Sequence, residues 1–148
     1  MSNRSEILAA LVGRLEGIQT TAGFATNAGS TVFTGFVPLL GGDDPDTAIA
    51  LVAGDDNPRH QGLQVAIDLP IHVYAVAKAD LDDPGGTVET LLADIKTAIE
   101  TDDTTVGRSG KATITRGPTR AVPRETGQSN VGVSITWVVT YSEVWGNP

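Results

Sequence analysis

Two segments of this chain alternate apolar and mixed residues over lengths that a small fold struggles to contain. In residues 63–77 every odd position is apolar: Leu63, Val65, Ile67, Leu69, Ile71, Val73, Ala75 and Ala77. Residues 131–144 repeat the pattern with Val131, Val133, Ile135, Trp137, Val139 and Tyr141, and place Ser134, Thr136, Thr140 and Ser142 on the other side. A period of two sends successive side chains to opposite faces, so each segment reads as a strand with one face on a core and one partly wet. Fifteen residues at about 3.3 Å each run about 50 Å. A compact chain of 148 residues has a radius of gyration of about 15 Å, that of a sphere about 38 Å across. The first strand must therefore bend, bulge or project, and Pro70, which has no N–H for a ladder, is where a bulge or an exposed edge is expected.

Two stripes at helical period supply a layer to cover the apolar face. Ile7, Leu8, Leu11, Val12, Leu15 and Ile18 predict an amphipathic helix over residues 4–17, capped by Asn3 or Ser2, with Glu6 at capping-box spacing from Asn3. Val88, Leu91, Leu92, Ile95, Ala98 and Ile99 predict a second over residues 88–100, capped by Thr87 with Glu89 in its first turn. Between them, residues 31–37, stopped by Pro38 and weakened by Gly35, and residues 47–52 read as short strands that pair with each other. A further strand begins at residues 112–116, Pro118 and Pro123 make the stretch beyond it unsuitable for a central strand, and residues 124–130 read as a polar loop. The order is α-β-β-β-α-β-β. It predicts an α+β fold in one domain, residues 1–148: a mixed, mainly antiparallel sheet with two helices packed on it.

The charge is unevenly spread. Ten Lys and Arg against 18 Asp and Glu leave −8, which at first sight argues against nucleic acid and anionic membranes. Residues 1–103 carry five bases against 16 acids, a balance of −11, whereas residues 104–148 carry Arg108, Lys111, Arg116, Arg120 and Arg124 against two acids, a balance of +3. Such asymmetry raises the question of partners or self-association. No run approaches the roughly 20 apolar residues that span a bilayer, and the first residues lack the layout of a secretory signal, so a soluble cytoplasmic product with no membrane partner is expected.

The residue types offer little to a catalyst. With no cysteine, thiolate metal sites, cysteine nucleophiles and disulfides are excluded. The two histidines, His60 and His72, are far apart and lack a flanking acid motif. The acidic pairs Asp43 and Asp44, Asp55 and Asp56, Asp82 and Asp83, and Asp102 and Asp103 lack calcium-loop spacing and read as solvated turns. Residues 107–113, Gly-Arg-Ser-Gly-Lys-Ala-Thr, have the wrong spacing for a phosphate loop and open a strand. No aromatic residue stands between Arg108 and Arg124, which leaves base stacking without support. No catalytic residue, metal site or cofactor is expected. Trp137 and Tyr141 read as core, and Trp145 as an edge seal or partner contact.

Taken together, the capped first helix, the strand ending Phe36-Val37-Pro38, the apolar strand over 47–52, the long alternating strand, the helix over 88–100, Thr105-Val106-Gly107 and the closing strand through Trp137 and Tyr141 resemble the tail terminator family of tailed bacteriophages. The resemblance includes its tail-completion and minor-tail-protein branches and spans about residues 4–145. It implies a structural, non-enzymatic virion protein of the tail neck, assembled in the host cytoplasm. Such a protein forms a homohexameric ring at the head-proximal end of the tail tube, stops tube polymerisation and offers a joining surface to head-completion or connector proteins. Genomic DNA passes through the lumen without sequence recognition. A ring requires a heterologous contact. An acidic surface containing Asp43, Asp44, Asp55, Asp56, Asp82 and Asp83 is expected to meet Arg108, Lys111, Arg116, Arg120 and Arg124 of a neighbour. The rival role for the basic residues is to line the lumen. The alternatives to the whole reading are another neck protein, such as a head-completion or connector factor, and a small metal-dependent enzyme or ligand-binding module using the Asp-rich loops.

Overall fold

The computed structural model describes residues 2–35, 46–80, 82–101, 105–106, 112–122 and 130–148. The chain forms an α+β fold of two layers. Helices α1 (Asn3–Glu16) and α2 (Pro84–Ile99) pack on one face of a sheet built from β1 (Val32–Thr34), β2 (Thr47–Ala53), β3 (Asn57–Gln61), β4 (Gln64–Lys78), β5 (Thr105–Val106), β6 (Ala112–Val122) and β7 (Asn130–Val144). The strand order is β1-β2-β4-β7-β6-β5, with β3 beside the first part of β4. The short strands β1 and β2 do pair, in parallel, and every other ladder is antiparallel.

The two long strands form the spine. β4 and β7 stay in one register from Gln64↔Val144 to Lys78↔Asn130 without a bulge. Their odd residues, from Ile67 to Ala77 and from Val131 to Tyr141, are buried beneath the helices, while the even residues are half-exposed on the open face. Pro70 costs this spine nothing. β2 ends at Ala53↔Ile71 and β3 begins at Asn57↔Asp68, so Pro70 lies at the joint between them, where the Gly54 N–H donates to the Pro70 carbonyl at 2.8 Å. A residue's N–H and C=O point to the same side of a strand, so the missing donor faces that joint and the β4–β7 ladder stays whole. The length conflict is resolved by projection: the Gln64 end of β4 and the Val144 end of β7 extend past the start of α1, where Asn3 Nδ2 donates to the Ser142 carbonyl.

Both helices are stapled by their apolar stripes. α1 buries Ile7, Leu11 and Leu15, and Ser2 caps it by accepting from the Ser5 N–H at 3.2 Å. α2 buries all six residues of its predicted stripe; each fully buried Leu or Ile contributes about 1.5–3 kcal/mol over exposure. Its start differs from the sequence reading. Pro84 occupies the first turn and Asp83 is the cap, accepting from the Gly86 N–H at 2.9 Å, so the helix begins before Thr87. Proline's fixed φ and absent N–H suit that position, and Asp83, read with Asp82 as a solvated turn, caps the helix whose first turn is Pro84-Gly85-Gly86.

Two strands exceed what alternation indicated. β3 is exposed throughout and shows no alternation, which puts His60 on a strand. β6 continues past Arg116 to Val122. Its ladder with β7 shifts between Arg116 and Thr119, so Gly117 and Pro118 form a bulge, and β5 pairs only with Ala112 and Thr113. Pro118 thus sits where β6 has no described outer neighbour, as a strand proline should.

Candidate functional site

The bulge in β6 decides where the basic residues go. Directly paired residues of an antiparallel ladder share a face. Before the shift Arg116 opposes Trp137, on the helix side; after it Arg120 opposes Ser134, on the open side. Two arginines four apart on a regular strand would share a face, but the extra residue separates them. Gly117 permits this, since a Cβ there would stand 3.0 Å from the Thr136 carbonyl oxygen.

Arg116 is engaged within its own chain. Its guanidinium grips the Glu100 carboxylate with two parallel bonds, Nε to Oε1 and Nη2 to Oε2. The Trp137 indole N–H also donates to Glu100 Oε1, at 3.1 Å. Glu100 is the residue that ends α2, so this trio ties the helix terminus to β6 and β7. The Arg116 hydrogen bond holds the Glu100 carboxyl below its ordinary value, and Glu100 in turn raises the guanidinium. Arg120 is exposed and carries no ion pair among the described residues. Arg108, Lys111 and Arg124 lie outside the described residues, as do Asp43 and Asp44.

The described acids fall into two places. Asp55 and Asp56 lie in the joint between β2 and β3, with Asp56 3.3 Å from Arg4. Asp82 and Asp83 precede α2, and Asp83 is occupied as its cap. Asp68, beside the first group, and Lys78, just before the second, stand ten residues apart on β4, about 33 Å by strand rise. The structure does not bring these groups together. No set of three His, Asp or Glu side chains is placed to hold a metal among the described residues, and no described helix is long and apolar enough to cross a membrane.

Asp94, which no motif singled out, is a buried carboxylate on α2. It accepts from the Ala25 N–H at 3.1 Å, the Thr26 N–H at 2.8 Å and the Thr26 hydroxyl at 2.6 Å. Its role is to pin the loop between α1 and β1. Its only sequence signal is an acid within the apolar stripe of a helix, beside Leu91, Leu92 and Ile95.

At the projecting end of the sheet lies an open cleft of about 430 Å³, lined by residues that include Pro58, His60, Val65, Glu143 and Trp145. Nearby, Tyr141 is buried; that burial first, then the charge of Glu143, pushes its hydroxyl up to about 12.

Comparison with known proteins bears on this architecture as a whole. No protein-family model matches the chain, and no curated protein matches its sequence. Its fold does match a solved structure. A chain in a structure described as "Virion of native gene transfer agent (GTA) particle" aligns with a TM-score of 0.63 and 13% identity, over 95% of this chain and 98% of that one. The likeness is one of fold, and its coverage leaves no large part of either chain unmatched.

Proposed function

We propose that this protein is a structural component of a phage-like virion, which forms a ring at the head-proximal end of the tail tube, ends tube polymerisation and presents the surface for head joining. The observation that carries this reading is the end-to-end match of the fold to a chain from a virion particle. The element order that resembles the tail terminator family supports the position in the tail. The sheet also suits ring building: β6 from Ile114 onward and β3 on the far side of the sheet have no described outer neighbour, which gives each copy two different edges for a heterologous contact.

Within this reading the basic stretch has a place. The basic residues Arg108, Lys111, Arg120 and Arg124 face a neighbouring subunit, whose acidic groups include Asp55 and Asp56. Arg116 shapes that surface by anchoring β6 to Glu100. The lumen carries DNA without gripping it, through a chain whose net charge is −8. Purified protein incubated with tail tubes and viewed by negative stain tests the proposal. Rings with a central hole on one end of each tube are expected; rings that bind only to heads or connectors would assign the protein to another part of the neck.

A further inference from the structure

The large hydrophobic side chains most exposed among the described residues converge on one spot. Leu63 is 71% exposed, Val144 51% and Trp145 65%. They are neighbours: the Trp145 N–H donates to the Leu63 carbonyl at 2.8 Å, and Val144 pairs with Gln64 beside Leu63. This is where the sheet outruns its helices. The helix-side face continues past α1 and forms the cleft, with Val65 and Pro58 in its wall, Glu143 at one side and the Trp145 ring 5.4 Å from that of His60. An aromatic ring beside a carboxylate is the chemistry that receives an arginine, which can stack on the ring and bond the acid at once. Glu143 makes no ion pair among the described residues.

The matching cation is on the same chain, at the wrong end to be used there. Arg4, Arg59 and Arg116 are paired with Asp56, Asp68 and Glu100, and Arg14 donates to the Ile99 carbonyl. Arg120 alone among the described arginines has no such partner. It opposes Ser134 on β7, ten residues from Val144, about 33 Å along the strand. No copy can fill its own cleft, but each can fill the next one's. We infer that the cleft formed by Trp145, Glu143 and His60 receives Arg120 of a second copy, in a head-to-tail contact. This deepens and rests on the ring reading, because a contact between two different surfaces closes into a ring or runs on as a filament.

The absence of cysteine makes the contact directly testable. Ser134→Cys, paired with Arg120 on β7, and Leu63→Cys, exposed and hydrogen-bonded to the Trp145 N–H, leave Arg120, Trp145 and Glu143 in place; the two variants are mixed in equal amounts with a short thiol-reactive cross-linker. A cross-linked dimer is expected in the mixture and in neither variant alone. A matched pair adds a second readout: Glu143→Arg weakens self-association about thirtyfold, and adding Arg120→Glu in the same chain restores it. No dimer in the mixture, or dimers within either single variant, overturns the contact. Negative-stain images of the unmodified protein separate the two levels. Rings without the cross-link refute this contact and leave the ring standing, whereas a cross-link with no rings refutes the ring and leaves the contact.

Discussion

Replacing Asp94 by alanine removes the acceptor for three donors at once, and the structure sets the size of the effect. The carboxylate is 6% exposed and takes the Ala25 and Thr26 N–H groups and the Thr26 hydroxyl at 2.6–3.1 Å. Hydrogen bonds to a charged group are worth about 1.5–3 kcal/mol each, and a donor left buried without a partner costs about 1–3 kcal/mol. The half-buried Thr26 can recover part of this from water, and the variant no longer buries a charge. The net loss is therefore about 3 kcal/mol, well below the sum. For a domain of this size that lowers Tm by roughly 6–12 °C. Urea unfolding of Asp94→Ala, Thr26→Val and the double variant measures it, with a coupling of about 1 kcal/mol expected between the two sites. A loss below about 1 kcal/mol for Asp94→Ala would refute the view that this carboxylate holds the loop to α2.

The geometry sets three further outcomes. Gly29→Ala places a Cβ 2.4 Å from the Leu15 carbonyl oxygen and 2.7 Å from that of Glu16; neither backbone group can swing away, so denaturant unfolding should register a loss of about 2 kcal/mol. Glu100 has a folded value below its ordinary 4.5, so its stabilisation is fully present above the unfolded value and is lost as pH falls through the folded one; Glu100→Gln should flatten that acid limb in unfolding curves measured from about pH 7 to about pH 2.5. Trp145→Ala, at a site 65% exposed, should change unfolding stability by no more than about 0.5 kcal/mol while reducing the assembled fraction in sedimentation.

Alternation and helical stripes make the spine of the fold legible. Residues 63–77 and 131–144 are β4 and β7 almost to the residue, and the stripes of α1 and α2 are the buried faces, because each pattern faces a single core. β3 leaves no such trace. Asn57-Pro58-Arg59-His60-Gln61 is exposed on both faces, and its place is fixed by the tight turn through Gly62, whose φ is +65°, and by pairing with β4. The sequence pattern ends β6 too early, at Pro118, because a bulge that accommodates proline depends on an edge with no neighbour among the described residues, a property of the sheet.

The candidate site is legible in composition and not in arrangement. The basic stretch is plain in the sequence, but the pairing of Arg116 with Glu100 joins residues 16 apart through the packing of α2 on the sheet. The bulge that sends Arg120 to the opposite face depends on register. Trp145 reads in the sequence as an edge seal or a partner contact, whereas the cleft beside it forms only because β4 and β7 extend beyond α1.

Assembly on the tail is decided by electron microscopy of tail tubes grown with and without the protein. With it, tubes of uniform length are expected, each closed at one end by a ring with a central hole; without it, tubes of uncontrolled length. A protein that stays monomeric and leaves tube length unchanged would contradict it.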